Sequence, residues 1–448
     1  MTVTGAMLSA VVLGAGLTIG AEAMSPPGRP DLIRIEGSMN CPVVPTQGGR
    51  AFLQITLTAS GGEVRTRKPV NLCVVLDRSG SMAEEGKIVN AKAALDALID
   101  RLTPDDIFSL VIYDDVVEVL RPARCAGDRR ELHDLVEGIQ PRGWTNLGGG
   151  MMEGFAQVGR HAGGRYVNRV VLLSDGLANR GITDPGELGR EARRNRDQSI
   201  SLTTMGVGLD YNENLMTSLA AEGGGNYYFI ESPRRLASIL GREFDRLGCV
   251  AAQNAVIEIT EGRGVGVLDV VGAEFTEVDG LLRIPVGDLY EGERREFTLE
   301  LTVPPGRETL VVAEGVVRFE PVREMAGVAR LRGVEVRYSD DAAEREARRD
   351  LRTQAKADVA VSTRGVERAM HALDQGKGED ALEEIASARR ILLASPAASS
   401  TAAGGAIKEQ EAKLGAYRQK IKDGPDSLRQ AKKTIQYDNY RTQRGEEK

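Results

Sequence analysis

Through the middle of the chain, apolar-rich runs alternate with stripes of helical period. The runs are Leu72–Leu76, Ile107–Tyr113, Val170–Leu173 and Ile200–Val207. Each has the length and bounding residues of a buried strand. Between them, Lys87–Leu102 carries Ile88, Ala91, Leu95, Leu98 and Leu102 at helical spacing, and Pro233–Leu247 carries Leu236, Ile239, Leu240, Phe244 and Leu247. Asp128–Gly138, Gly148–His161, Asp184–Gln198 and Asn212–Ala221 read as further helices, the third opened by an Asp-Pro cap signal. Val116–Leu120 reads as a returning edge strand after Asp114-Asp115, and Asn226–Ile230 as a short aromatic strand. Strands alternating with helices predict a doubly wound, mostly parallel sheet covered on both faces.

The flanks follow other periods. Asp31–Ile35 and Ala51–Thr58 read as strands. In the second, Phe52, Gln54, Thr56 and Thr58 alternate with Leu53, Ile55 and Leu57, the pattern of a half-buried strand. Gly61-Gly62 marks a turn. Two strands make no useful sheet alone, so they are expected to join the β-rich stretch Ala251–Tyr338. There Val256–Ile259, Gly266–Val271, Leu281–Pro285, Glu296–Val303, Thr309–Phe319 and Gly333–Tyr338 are parted by Gly, Pro and Asp turns. The stretch predicts an antiparallel sandwich, with the α/β domain inserted into it.

Asp341–Ser395 returns to helix with a turn at Asp374–Gly378 and an apolar stripe of Ala381, Leu382, Ile385, Ala388, Ile391 and Leu392. The hairpin resembles a single tetratricopeptide unit without neighbours to stack on, and it is expected to pack on the β domain. Pro396–Gly405 is rich in Ala, Ser and Gly and reads as a flexible linker. Ile407–Tyr440 is helical in pattern and broken at Gly424-Pro425. Tyr437 and Tyr440 stand near its end, to dock on the body or on a partner, and the last residues from Arg441 are expected to be disordered. The expected boundaries are a signal-like or disordered start at 1–30, strands of the β domain at 31–67 and the α/β domain at 68–248. The sandwich follows at 249–340, then a helical hairpin at 341–395, a linker at 396–406 and a C-terminal helix and tail at 407–448.

Composition narrows the function. A chain of 448 residues is too long for one typical domain, and 41% apolar residues allow a sizeable core. The net charge of -7 leaves no basic footprint for nucleic acid. The basic clusters at Arg190–Arg196 and Lys408–Arg444 read as solvated helix faces. His133, His161 and His371 lie far apart, with no zinc spacing. Of the four cysteines, Cys73 falls inside a strand as a small hydrophobe. Cys41 and Cys249 flank the α/β domain and could meet, but the unbridged state is the reading taken.

Gly5–Ala21 is apolar, and Ala21-Glu22-Ala23 fits an A-x-A cleavage site, although no Lys or Arg precedes it. Export or membrane anchoring, with weak membrane association through this end, is taken ahead of a cytoplasmic chain whose true start is Met24.

The first buried run ends in Asp77-Arg78-Ser79-Gly80-Ser81-Met82. A carboxylate and two hydroxyls at alternate positions offer only oxygen, which hard cations prefer. In open α/β sheets, ligands sit in the crevice at such strand ends. Gly143-Trp144-Thr145-Asn146 puts a hydroxyl before a helix, and Ser174-Asp175-Gly176 ends another buried run. D-x-S-x-S, the later Thr and the later S-D-G together resemble the metal-ion-dependent adhesion site of the von Willebrand factor type A (VWA) domain. The resemblance covers roughly Lys68–Gly248. Its wider arrangement is similar to bacterial relatives built like inter-alpha-trypsin inhibitor heavy chains. The resemblance implies a bound divalent cation, Mg²⁺ or alternatively Mn²⁺ or Ca²⁺. Ser79, Ser81 and Thr145 would ligate it directly, and Asp77 and Asp175 largely through water. It also implies a partner surface around Gly80, Trp144, Asn146 and Gly176, and a shift of the helix Pro233–Leu247 between affinity states.

Three neutral hydroxyls leave a dication under-neutralised, so its open position would attract an Asp or Glu from a protein partner. A storage site for Ca²⁺ would use more carboxylates. The expected function is therefore non-enzymatic, metal-dependent protein binding. A scaffold in which the ion only orders the loops is the alternative. A phosphatase using Asp77 would need a second acid where Ser79 stands. Neither a G-x-x-x-x-G-K-[ST] loop nor a G-x-S-x-G elbow occurs.

Overall fold

Strands β1 (Ile33–Met39) and β3 (Gly49–Ala59) are the first long strands of the described residues and form an antiparallel pair, with the two-residue β2 (Val43–Val44) between them. The computed structural model describes residues 32–60, 67–321, 327–423 and 425–444. The apolar stretch at Gly5–Ala21 with its cleavage-like site, the turn at Gly61-Gly62 and the last four residues lie outside the described residues. Among the described residues no helix is long and apolar enough to cross a membrane.

The α/β domain follows. Its elements are β4 (Val70–Asp77), α1 (Lys87–Ile99), β5 (Ile107–Tyr113), β6 (Val117–Cys125), α2 (Arg129–Glu137), α3 (Leu147–Gly159) and β7 (Val167–Ser174). Then come α4 (Pro185–Arg196), β8 (Ser201–Val207), α5 (Glu213–Glu222), β9 (Gly224–Ile230) and α6 (Leu236–Leu247). Strands and helices alternate except where β5 runs into β6 and α2 into α3. The sheet order is β6-β5-β4-β7-β8-β9, and all pairings are parallel except the antiparallel edge β6. Every residue of β4, β5, β7 and β8 is buried, the polar ones such as Asn71, Arg169 and Thr203 included. Leu72, Val74 and Leu76 pack against α1, α2 and α6 on one face; Cys73 and Val75 pack against α3 and its neighbours on the other.

The chain then returns through β10 (Val250–Glu261), β11 (Gly266–Val271), β12 (Thr276–Val278), β13 (Leu281–Tyr290), β14 (Arg294–Val303), β15 (Leu310–Pro321) and β16 (Gly327–Tyr338). Two sheets result, ordered β1-β3-β14-β11 and β12-β13-β10-β15-β16-β2. They enclose one core that includes Leu53, Ile55, Leu57, Ile257, Ile284, Leu299 and Val317.

The C-terminal helices are α7 (Ala342–Ala347), α8 (Leu351–Asp374), α9 (Gly378–Leu393), α10 (Gly404–Lys422) and α11 (Pro425–Gln443). The long α8 lies on the outer face of the four-stranded sheet: Lys356 Nζ reaches Glu296 Oε1 at 2.6 Å and Arg364 reaches Glu300 at 2.7 Å. This cover changes the reading of β3. Its alternation predicted one wet face, yet Gln54 and Thr56 are buried too, and Thr298 Oγ1 donates to Gln54 Oε1 at 2.8 Å. The segment 396–406, read from its composition as a linker, forms close turns that lead into α10 at Gly404. Ala397 and Ala403 are buried there, and a Cβ on Gly404 would stand 2.7 Å from the Ala398 carbonyl oxygen.

The last helix returns to the α/β domain. Tyr437 and Tyr440 both stack edge-on against Tyr227 of β9, at 5.7 Å between centroids. Lys433 Nζ donates to Tyr211 O at 2.7 Å and to Glu213 Oε2 at 2.6 Å. The otherwise open sheet edge at β9 is thus covered by a helix, one of the ways proteins blunt such edges. Beneath the sheet, Arg169 joins the α/β domain to the sandwich. Fully buried, it donates to Asp288 Oδ2 at 2.7 Å, Thr203 Oγ1 at 2.8 Å and Glu243 Oε1 of α6 at 3.4 Å. Cys41, Cys73, Cys125 and Cys249 are all free thiols.

Candidate functional site

The parallel strands β4, β7 and β8 all end on the same side of the sheet, where the loops after β4 and β7 meet the loop between α2 and α3. β4 runs out at Asp77, whose side chain is fully buried. Ser79 N donates to Asp77 Oδ1 at 2.8 Å and Ser174 Oγ donates to Asp77 Oδ2 at 2.8 Å. The chain then turns through the short helical segment Gly80–Gly86. Ser79 Oγ stands 3.1 Å from Ser81 Oγ, and Ser81 Oγ donates to Asp175 Oδ1 at 2.8 Å. Thr145 is buried. Its amide donates to Asn179 Oδ1 at 3.0 Å, while its hydroxyl makes no hydrogen bond among the described residues. A Cβ on Gly176 would stand 3.2 Å from Thr145 Oγ1 and 3.7 Å from Ser81 Oγ, so both hydroxyls face the same bare glycine. Asp77, Ser79, Ser81, Thr145 and Asp175 are thus brought to one place by three separate loops.

Side chains that the motif does not contain hold this arrangement. Lys87, the first residue of α1, is buried to 1% exposure and donates from Nζ to Asp175 Oδ2 at 2.9 Å. Its stem lies against Gly208, which sits at φ +76; a Cβ there would meet Lys87 Cε at 3.2 Å. Burial alone would lower the Lys87 pKa, but the Asp175 hydrogen bond and charge outweigh it and the net shift is upward. Arg78 Nε and Arg142 Nε both donate to Asp114 Oδ2 at 2.7 Å, tying the first loop to the β5–β6 turn and to the Thr145 loop. Burial would raise the Asp114 pKa, yet the Arg142 bond, the Val116 amide and the Arg78 charge hold it below the ordinary value. Gly80 N donates to Gly143 O at 3.1 Å. Lys87 left one sequence signal, a lone cation at the head of an apolar helix stripe. Arg78 fell in an unconstrained position of the motif.

The glycines of the Thr145 loop have a steric role. A Cβ on Gly148 would come within 2.5 Å of the Ile182 carbonyl oxygen, and one on Gly150 within 2.6 Å of the Tyr113 ring. They let α3 approach the sheet and the neighbouring loop. Of the surface expected for a partner, Gly80 and Trp144 are exposed and Gly176 is half-buried. Asn146 is half-buried as well and also has a role within the fold. Its Oδ1 accepts from Gly149 N at 3.0 Å and caps α3.

The electrostatics are unbalanced. Burial, then the charge of Asp175, pushes the Asp77 carboxyl from its ordinary value up to about 7, against the bonds from Ser79 and Ser174. Two carboxylates face one ammonium, so the ionised site sums to -1. Among the described residues no group of three or more His, Cys, Asp or Glu side chains is placed to hold a metal ion. A cation here would therefore take hydroxyl oxygens alongside the two carboxylates. The donor set fits Mg²⁺ in kind, since every group is oxygen.

Comparisons with known proteins agree with this architecture. Residues 71–242 match the family model of the von Willebrand factor type A domain. The chain is 27% identical over 266 residues to the uncharacterized protein YfbK of Escherichia coli strain K12, covering 57% of this chain and 45% of that one. It is 26% identical over 282 residues to the uncharacterized protein sll0103 of Synechocystis, covering 60% and 66%. It is 30% identical over 169 residues to human inter-alpha-trypsin inhibitor heavy chain H4, covering 36% and 18%. The chain spans less than two thirds of the length of each of these curated relatives. Among solved structures, a von Willebrand factor type A protein from Catenulispora acidiphila superposes with a TM-score of 0.69 at 17% identity, over 87% of this chain and 91% of that one. The ArnB paralog VWA2 from Sulfolobus acidocaldarius gives 0.60 at 16% identity, over 93% and 99%. The chain carries a VWA fold, a mostly parallel sheet flanked by helices, together with further sheets and a C-terminal helical region.

Proposed function

We propose that this protein is a divalent-metal-dependent protein-binding module whose ion, Mg²⁺ in the first instance, takes an acidic side chain from a partner. The observation that carries the reading is the convergence of three hydroxyls and two carboxylates at the ends of β4 and β7. Domains of this family are usually protein-interaction or adhesion modules, which agrees with it. Charge supports it as well. With Asp77 ionised, as a bound dication would keep it, Asp77, Asp175 and Lys87 sum to -1, so a dication would bring the pocket to +1 and an arriving carboxylate to neutrality. Ser79, Ser81 and Thr145 would hold the ion directly, with Asp77 and Asp175 behind them as hydrogen-bond acceptors for its water. The ion would supply Lewis-acid attraction for a carboxylate. The protein supplies the rigid loops that keep one face open.

A second reading, different from the scaffold whose loops an ion orders, is a scaffold whose top loops need no ion at all, and Lys87 favours it. This side chain already neutralises Asp175, and the loops are already cross-bonded. Calorimetric titration of Mg²⁺ into the wild-type chain and Asp77→Ala separates the two. The proposal expects binding heat in the wild type, none in the variant, and a cooperative melt in both. Absence of Mg²⁺, Mn²⁺ and Ca²⁺ binding by the wild type would leave the scaffold reading.

A further inference from the structure

The apolar surface of this protein is not spread evenly. Nine large hydrophobic side chains are exposed among the described residues, and three of them stand on loops around the candidate site: Val116 at 58%, Trp144 at 56% and Leu177 at 55%. Trp144 is the only tryptophan in the chain. It is adjacent to Thr145, whose hydroxyl points into the site. Leu177 is adjacent to Gly176, which both hydroxyls face. Val116 closes the β5–β6 turn that holds the Trp144 loop, where Trp144 N donates to Asp115 Oδ1 at 3.2 Å. The Arg180 guanidinium lies over the Trp144 ring at 5.2 Å from its centroid, which stiffens the indole and puts a positive charge at the rim.

A tryptophan left more than half in water is a cost unless something covers it in use. Trp and Arg are the residues most often found at the energetic centre of interfaces. Here they frame a pocket whose charge, once a dication is bound, favours one incoming carboxylate. We infer that the partner is a protein segment in which a single Asp or Glu stands beside a bulky apolar or aromatic residue. The acid goes to the ion, and its apolar neighbour seats against Trp144 and Leu177 under Arg180. Charge complementarity selects the acid, and the apolar rim selects its neighbour. Glu84 and Glu85 are exposed on the first loop and disfavour a run of acids. This inference rests on the metal-dependent binding reading and adds to it the chemistry of the flanking position.

The test uses a random-heptapeptide phage library panned on the full chain in Mg²⁺ and eluted with EDTA, in parallel with Trp144→Ala and Leu177→Ser. Both sites are exposed, so the variants are expected to melt like the wild type. The inference expects wild-type eluates enriched in Asp or Glu next to Phe, Trp, Leu or Ile. A synthetic peptide from that pool should bind Trp144→Ala roughly ten- to thirty-fold more weakly while the variant keeps its Mg²⁺ affinity. On the variants the acid should stay enriched and the apolar neighbour should not. Acid enrichment in the wild type with no apolar bias overturns the inference and leaves the metal reading standing. Apolar bias that survives in both variants overturns it too, by placing the recognition elsewhere. An EDTA eluate with no acid enrichment overturns both readings together.

Discussion

Replacing Lys87 by methionine tests whether a protein cation is part of the site's construction. The Lys87 ammonium and the Asp175 carboxylate are 2.9 Å apart, with side-chain exposures of 1% and 0%. Methionine keeps most of the apolar stem that packs against Gly208, so the loss is one of charge and not of volume. Removing one member of a buried pair strands the other, at about 3–5 kcal/mol. Asp175 keeps its bond from Ser81 at 2.8 Å, while the ionised site moves from -1 to -2. For a domain of this size the loss corresponds to a fall in Tm of roughly 6–20 °C in EDTA. A dication in the site would restore a counter-charge to Asp175. Recovery of even about 1.4 kcal/mol of the loss on binding makes Mg²⁺ affinity tenfold tighter than in the wild type. Thermal melts in EDTA and in saturating Mg²⁺, with calorimetric titration of both proteins, read the two effects. The reasoning fails if Lys87→Met melts with the wild type in EDTA and binds Mg²⁺ with the same affinity.

Two further outcomes are expected away from the site. Arg169→Met leaves Glu243 and Asp288 buried against each other's field between the α/β domain and the sandwich, and should cost about 3–5 kcal/mol in urea unfolding; a loss under about 1 kcal/mol would show that the network does not hold the joint. Burial and the neighbouring Glu274 push the Glu222 carboxyl from 4.5 up to about 7, with Arg193 opposing. Between those values the folded chain holds a proton that the unfolded chain has released, so this group's contribution to stability falls as pH rises through that window, by about 1–3 kcal/mol. Glu222→Gln should flatten that part of the urea-midpoint profile between pH 4.5 and 7, and parallel profiles for the two proteins would contradict the assignment.

The parts of this molecule that its sequence makes legible are those set by local geometry. A five-residue apolar run that ends in Asp77 and a Ser/Gly loop has the length and flanks of a buried strand. The topology of a doubly wound sheet then carries the Thr145 and Asp175 loops to the same side. Periodicity reports which face of an element is polar, but not what covers that face. Gln54 and Thr56 alternate as a solvated strand face should, yet α8, far along the chain, lies over them. The pattern at Tyr437 and Tyr440 likewise left open whether they meet the body or a partner. Their stacking on Tyr227 answers that, and could not be read before β9 was known to be an edge. Lys87 is the sharpest case. As a helix-starting lysine it looks solvated, and only the approach of Asp175, 88 positions away, with Gly208 in a left-handed turn beside it, makes it a buried counter-ion. The motif thus names the oxygen donors but not the charge of the pocket they form. That charge depends on a residue outside the motif, and its sign decides what the site attracts. On the proposed reading, a dication would leave an excess of +1 for an acidic ligand with Lys87 in place, whereas with a neutral residue there the same five donors would leave none.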